Sequence, residues 1–220
     1  MKIMDVLTSS VSNEKGVKIP YTHIGHQSSA VCFMLSGSSY TYEKPLFHYL
    51  TMFMLERKID VVHIDYHYNE NILSLPGYKI GEEMVKDIVP VMNEVYSKHN
   101  YSKTILIGKS LGSVPLSNAF MKAEDQHKDK LFVLLTPLLA VHDVYQSLLK
   151  SNHEALLVIG DKDAHYNEGK VDKLREAGKE VHVLPNATHT LDDYDNNPFA
   201  SLDTIKHLIA RVGLYMNEHQ

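Results

Sequence analysis

Residues 103–112 of the chain read KTILIGKSLG. The first part is a short, nearly continuous apolar run, which is typical of a strand that is buried on both faces of a parallel sheet. The run leads directly into Gly108-Lys109-Ser110-Leu111-Gly112, a Gly-x-Ser-x-Gly pattern. Between a strand and a helix, this pattern forms a strained turn that lifts the serine hydroxyl above the sheet. We therefore predict a nucleophile at Ser110; the alternative is a glycine-rich turn without chemistry.

Similar apolar runs recur on both sides of this stretch, at residues 30–36, 60–66, 131–136, 155–160 and 180–184. Helical periodicity separates them, over residues 45–58, 80–98, 111–124, 140–150, 167–177 and 200–216. Strands that alternate with helices indicate a parallel sheet with right-handed crossovers. The predicted fold class is α/β, as a three-layer α/β/α sandwich with a mostly parallel sheet.

Two prolines affect these predictions. Residues 17–24 (VKIPYTHI) are predicted to form an edge strand, because a sheet edge tolerates Pro20. Pro90 lies within the helical pattern of residues 80–98, where a proline can kink a helix.

The composition limits the class of protein. The chain has 220 residues, of which 44% are hydrophobic and 22% charged, so we predict one globular domain over residues 1–220. The net charge of -5 and the lack of a basic patch argue against a nucleic-acid partner. Cys32 is the single cysteine, and no apolar run has the roughly 18 residues of a membrane helix. We expect a cytoplasmic protein with no membrane partner.

A serine nucleophile needs a general base, and the base needs an orienting carboxylate. Two carboxylates, Asp161 and Asp163, directly follow the apolar run at 155–160. His189 lies in the loop after the last apolar run. Because the carboxyl ends of parallel strands lie at one edge of the sheet, Ser110, one of these carboxylates and His189 are predicted to meet there.

In these segments the chain resembles the α/β-hydrolase superfamily, especially its small dienelactone-hydrolase-like members. The matching segments are LSGSS at 35–39, GKSLG at 108–112, GDKD at 160–163 and ATHTLD at 187–192. As an order of elements, the resemblance covers residues 30–215. It implies the α/β-hydrolase fold, with Asp163 as the acid, the last residue of the family's Gly-x-x-Asp pattern, and His189 as the base. Asp161 stays open as an alternative acid or a turn-capping residue, and so does Asp143, because some relatives place the acid there.

The resemblance also implies an oxyanion hole of two backbone N–H groups. One belongs to Leu111, the residue after the nucleophile. The other is expected from Ser38, with Ser39 as the alternative. This loop often reads His-Gly in the family, whereas this chain has Ser36 and Gly37.

The segment in which many relatives insert a helical lid is short here. Only residues 137–154 separate the two neighbouring apolar runs, so we expect little or no lid and an open pocket. The predicted function is hydrolysis of a small carboxylic ester through an acyl-enzyme, without a cofactor. A thioesterase or a small peptidase on the same residues remains an alternative, and so does a binding module that has the fold without the activity.

Further polar and aromatic residues allow two interpretations each. His63, Asp65 and His67 alternate along a predicted strand and would suit a metal-dependent hydrolase, although Asp65 at a strand end beside the pocket is the favoured interpretation, with no metal. Four tyrosines that follow strand ends are expected either to line a pocket or to pack turns. They are Tyr40, Tyr42, Tyr66 and Tyr68.

Overall fold

The computed structural model describes residues 5–123 and 130–219. Eight strands form one sheet: β1 (Asp5–Ser12), β2 (Lys18–Gly25), β3 (Ala30–Leu35), β4 (Asp60–Ile64), β5 (Lys103–Lys109), β6 (Lys130–Leu135), β7 (Ala155–Gly160) and β8 (Glu180–Leu184). The α-helices are α1 (Pro45–Glu56), α2 (Glu70–Leu73), α3 (Gly77–Lys98), α4 (Ser113–Asn118), α5 (His142–Lys150), α6 (Glu168–Glu176) and α7 (Pro198–Glu218).

The strands lie in the order β1-β2-β4-β3-β5-β6-β7-β8. β3 to β8 pair parallel with one another, whereas β1 pairs antiparallel with β2, and β2 pairs antiparallel with β4. The six apolar runs all form strands of the parallel part. The predicted α/β class with a mostly parallel sheet is confirmed.

Alternate residues of each central strand pack on opposite helical layers. In β3, Val31 and Phe33 belong to a core cluster that includes side chains of α3, α4, α5 and α6. Cys32 and Met34 point the other way, into a second cluster with side chains of α1 and α7. Burial on both faces explains why the strands read as continuous apolar runs and confirms the three-layer arrangement.

The prediction of an edge strand at residues 17–24 is wrong, because β2 pairs with strands on both sides. The edge strand is β1, a segment that the sequence pattern missed. Most β1 side chains are exposed, so the strand lacks the apolar signal on which the prediction relied. Pro20 lies in the ladder opposite Ser10, and its carbonyl oxygen accepts a hydrogen bond from the N–H of Asp65.

The helix predicted over residues 111–124 is shorter than expected. Ser110–Gly112 form a 3₁₀ turn, α4 ends at Asn118, and a second 3₁₀ turn spans Phe120–Lys122. Residue 124 is outside the described residues. Every residue of α4 is buried, so an apolar pattern carries no information about where the helix ends. By contrast, α3 continues through Pro90 as one unbroken helix.

The carboxyl ends of the parallel strands are lightly covered. The connection between β6 and β7 holds a single helix, α5, in agreement with the predicted lack of a lid. Among the described residues, no helix combines the length and the apolar character that crossing a membrane requires. The loops after β3, β4, β5, β7 and β8 thus form the edge at which a ligand binds in sheets of this kind.

Candidate active site

Ser110 lies on a strained turn between β5 and α4. Its φ angle is +51°, in the left-handed region that non-glycine residues rarely adopt. A side chain at Gly108 would overlap the carbonyl of Gly112, and one at Gly112 would overlap the carbonyl of Leu35. Both glycines are therefore needed for the close backbone contacts that hold Ser110 in this conformation.

Three side chains from three strand ends form a continuous hydrogen-bonded chain. The Oγ atom of Ser110 lies 2.8 Å from Nε2 of His189, and Nδ1 of His189 lies 2.8 Å from Oδ2 of Asp163. Ser110 follows β5, Asp163 follows β7, and His189 lies beyond β8. The structure thus brings together the three residues that the sequence singled out.

Asp163 is held as a charged acceptor. Its carboxylate is buried, and Oδ1 accepts a hydrogen bond of 2.8 Å from the backbone N–H of His165. Burial by itself would raise the pKa of Asp163, but the hydrogen bonds from His189 and His165 outweigh it and hold the pKa below its usual value. A carboxylate in this state can orient the imidazole ring and stabilise an imidazolium ion.

The two alternative acids make other contacts. Oδ1 of Asp161 accepts a hydrogen bond of 2.8 Å from the backbone N–H of Asn186, which fastens the start of the loop after β8. Asp143 lies in the first turn of α5, and its Oδ2 is 3.4 Å from the N–H of Tyr78. Neither carboxylate contacts His189, so the geometry favours Asp163.

His189 is carried by a tight turn. The N–H of Leu191 donates to the carbonyl oxygen of Thr188 over 3.0 Å, and Leu191 has a φ angle of +70°. The N–H of Lys162 donates to the carbonyl oxygen of Ala187, which ties this loop to the loop that holds Asp163. Acid and base are therefore positioned relative to each other by the backbone as well as by their side chains.

Lys109, next to the nucleophile, is a buried cation that the sequence analysis missed. The residue is only 1% exposed. Nζ donates to the carbonyl oxygen of His189 over 2.9 Å, lies 3.2 Å from Oγ1 of Thr136, and lies 4.5 Å from the centre of the Tyr40 ring. Burial lowers the pKa of Lys109 to about 8, against the opposing effect of nearby carboxylates. No sequence signal marks this role, because the position is variable in the Gly-x-Ser-x-Gly pattern.

The loop after β3 lies directly beside the nucleophile. The ideal Cβ position of Gly37 is 3.4 Å from Cβ of Ser110. Two tyrosines hold this loop: the hydroxyl of Tyr66 donates to the carbonyl oxygen of Ser36 over 2.6 Å, and the N–H of Ser36 lies 3.3 Å from the hydroxyl oxygen of Tyr42. The backbone N–H groups of this loop are therefore preorganised next to Ser110.

A cavity of about 100 Å³ opens beside this loop. It is lined by residues 36–38, 41–42, 65–68 and Leu111. Three of the four tyrosines considered in the sequence line it, whereas Tyr40 covers Lys109 instead. Larger cavities of about 510 and 500 Å³ lie among the helices, and the residues described as lining them include no member of the hydrogen-bonded chain.

The described residues bring some potential metal ligands close together. One group of three offers ligand atoms within 4.8 Å of one another, namely Asp163, His165 and His189. His63, Asp65 and His67 do not form such a group among residues 5–123 and 130–219. His63 instead lies 2.9 Å from Oγ1 of Thr51 and stacks on Tyr42, and burial lowers its pKa to about 4.

Comparisons with known proteins give matches of structure alone. No family model matches the chain, and no curated protein is significantly similar to it in sequence. Est1E from Butyrivibrio proteoclasticus is 13% identical, with a TM-score of 0.72 over 96% of this chain and 98% of that chain. The Pyrococcus furiosus esterase Pf2001 is 13% identical, with a TM-score of 0.71 over 98% and 93%. A dienelactone hydrolase from Anabaena variabilis is 16% identical, with a TM-score of 0.65 over 94% and 96%.

These likenesses extend over nearly the full length of both chains in each pair. At such low identity they show the fold and not the activity. Together with the strand order, they show that the chain has the α/β-hydrolase fold, as the resemblance in sequence predicted.

Proposed function

We propose that the chain is a serine hydrolase that cleaves small carboxylic esters through an acyl-enzyme. One observation carries this proposal: the hydrogen-bonded chain from Ser110 through His189 to Asp163, with both contacts at 2.8 Å. A nucleophile bonded to a base, which is bonded in turn to an orienting carboxylate, is the arrangement that activates a serine hydroxyl.

The first step is the attack of Ser110 Oγ on the ester carbonyl carbon. As the new C–O bond forms, the hydroxyl proton moves to Nε2 of His189, and the carbonyl π electrons move to the carbonyl oxygen. Nδ1–H of His189 donates to Asp163, which keeps Nε2 free to accept the proton. The negative charge of Asp163 stabilises the resulting imidazolium ion.

The backbone N–H groups of Leu111 and Ser38 stabilise the oxyanion in this proposal. Both residues line the small cavity beside the nucleophile, whereas Ser39 is not among its lining residues, and this favours Ser38. Ser38 lies in the loop after β3. Among the described residues, its N–H donates no hydrogen bond to a backbone carbonyl oxygen. That donor is therefore available to a ligand.

The intermediate then collapses and the acyl group is released. His189 returns its proton to the leaving alkoxide oxygen as the ester C–O bond breaks. Water attacks the acyl-enzyme with His189 again as the base, which frees the acid and restores Ser110. Apart from the ester and water, these steps use only side chains and backbone groups of this chain, and no cofactor takes part.

Short esters are the favoured substrates for two reasons. The cavity beside the oxyanion loop has a volume of only about 100 Å³, and Ser110 is partly exposed at an edge without a lid. Thioesters react through the same residues, but the structural neighbours whose names state an activity include several esterases, which favours an oxygen ester.

A fluorophosphonate probe tests the proposal directly. We expect a covalent adduct on Ser110, located by peptide mass spectrometry, because the probe phosphonylates only activated serines. Ser110→Ala and His189→Ala should both lose the adduct. Ser102→Ala, which removes an exposed hydroxyl bonded to the carbonyl of Ser29, should retain it. A folded wild-type protein that takes up no probe would contradict the proposal and favour a non-catalytic binding module.

Lys109 offers a second prediction for the same reaction. Replacing Lys109 by Met removes the group that donates to the carbonyl oxygen of His189, so the His189 side chain is free to move. We expect kcat for p-nitrophenyl acetate to fall about tenfold with little change in KM, because small displacements of a catalytic group are costly. Lys109→Gln keeps a donor and should recover part of kcat. Equal losses in both variants, or a change in KM alone, would show that Lys109 does not position His189.

A further inference from the structure

We propose that Asp65 makes the acyl pocket of this enzyme selective for esters whose short acyl chain ends in a positively charged ammonium group. The inference rests on the proposed function and specifies its substrate class. It follows from the position of Asp65 in the cavity beside the nucleophile, from the contacts that its carboxylate lacks, and from the groups that surround it.

The cavity lies on the acyl side of the reaction centre. In ester cleavage the base that took the serine proton gives it to the leaving oxygen, so the alcohol lies next to His189. The cavity is lined by the oxyanion loop and by Leu111, and neither His189 nor Asp163 is among its lining residues. An ester with its carbonyl oxygen on the N–H groups of Ser38 and Leu111 and its alcohol toward His189 directs its acyl chain into this cavity.

Asp65 lines this cavity from the end of β4. Its backbone is fixed, because its N–H donates to the carbonyl oxygen of Pro20 over 2.9 Å. Its side chain is partly buried, and no residue in the described ranges donates a hydrogen bond to the carboxylate. Burial raises the pKa of Asp65, and the charge of Glu43 adds to this, whereas His67 has the opposite effect.

The neighbouring tyrosines leave the carboxylate without a donor. The hydroxyl of Tyr66 donates to Ser36, and that of Tyr68 donates to Oδ2 of Asp87 over 2.7 Å. The hydroxyl of Tyr42 lies 2.7 Å from the carbonyl oxygen of Met34 and 2.8 Å from that of Ile64. Each phenol is therefore committed elsewhere, and the tyrosines contribute aromatic rings to the wall.

The charged side chains around the cavity favour a cationic ligand. Among its described lining residues, Asp65 is the single carboxylate, and His67 is the single basic side chain. His67 is exposed, and Glu43 adds further negative charge. A partly buried carboxylate is stabilised by an opposite charge that also donates hydrogen bonds, and aromatic faces attract cations as well. An ammonium group on the acyl chain supplies both interactions.

The size of the cavity limits the acyl chain. A volume of about 100 Å³ leaves room for a short acyl chain and not for a long one. We choose a β-alanyl chain, with two methylene groups and a terminal ammonium, as the short cationic chain for the test. Butyryl and succinyl chains of nearly the same length carry no charge and a negative charge, which makes a matched series.

The test compares ethyl esters of β-alanine, butyric acid and succinic acid (as the monoester) with the wild-type enzyme at pH 7. Each kcat/KM is divided by the second-order rate constant for hydroxide-catalysed hydrolysis of the same ester, measured at a pH at which the amine stays protonated, which removes differences in intrinsic reactivity. We expect the corrected value for the β-alanine ester to exceed that for ethyl butyrate about tenfold, and the succinate ester to be the poorest substrate.

Two variants assign the selectivity to Asp65. In Asp65→Asn, the ratio of the β-alanine ester to ethyl butyrate should fall about tenfold. The matched control Asp203→Asn removes the same charge from an exposed position on α7 and should keep the wild-type ratio. The inference would be overturned by equal corrected rates for the three esters, or by a ratio that Asp65→Asn leaves unchanged. In either case, Ser110-dependent hydrolysis of ethyl butyrate would leave the proposed function intact. Failure to hydrolyse any of the esters, with no probe adduct on Ser110, would overturn both.

Discussion

Replacing Ser110 by Ala is expected to lower kcat for a short ester such as p-nitrophenyl acetate about 10⁵-fold. The variant lacks the only oxygen that contacts Nε2 of His189 among the described residues, so no acyl-enzyme forms. Residual hydrolysis should come from water attacking an ester bound at the oxyanion donors. The measurement is a steady-state assay on protein purified in a strain or system free of background esterase, with circular dichroism to confirm folding.

His189→Ala provides the matched comparison for Ser110→Ala. Because serine and histidine act as a unit, we expect each single variant to lose about as much activity as the double variant. Additive losses would mean that the two residues act independently, which would contradict a joint role of Ser110 and His189 in the attack. Activity of Ser110→Ala within tenfold of wild type would remove Ser110 from the mechanism altogether.

Asp163→Asn should lower kcat about 10⁴-fold while the protein stays folded. The amide has nearly the same shape as the carboxylate, but it carries no charge to stabilise the imidazolium ion. Its NH₂ group can also face Nδ1 of His189, which favours the wrong tautomer of the ring. The loss should appear in kcat rather than in KM, because the substrate does not contact Asp163.

Asp161→Asn is the control for this prediction. The carboxylate of Asp161 lies two residues away and bonds the N–H of Asn186, a contact that an amide oxygen can keep. We expect kcat of Asp161→Asn to stay within about twofold of wild type. The pair of variants thus decides between the two acids that the sequence left open. A larger loss in Asp161→Asn than in Asp163→Asn would reverse the assignment.

Much of the fold could be predicted from the sequence because the signals are local. A strand that is covered by helices on both faces must be apolar at every position, so the six parallel strands are visible as apolar runs. The same reasoning failed for β1, since its side chains face solvent and leave no such run. It also failed for the end of α4, where burial on all sides removes the helical periodicity.

The candidate site could be predicted in part for a similar reason. The turn at Ser110 requires glycine at positions 108 and 112, and these glycines are visible in the sequence as the Gly-x-Ser-x-Gly motif. Strand ends in a parallel sheet meet at one edge, so Asp163 and His189 could be identified by their positions after strands. These are properties of short segments and of their order along the chain.

What only the tertiary structure decided depends on contacts between distant segments. The choice of Asp163 over Asp161 rests on which carboxylate reaches a histidine 26 residues away. The role of Lys109 rests on a carbonyl oxygen 80 residues away, and the acyl cavity on loops from three different strands. The local sequence therefore determined the parallel sheet and the nucleophile turn, because backbone geometry imposes them on neighbouring residues. Long-range packing determined the partners of each charge and the shape of the pocket, because no short pattern records which side chains meet when the chain folds.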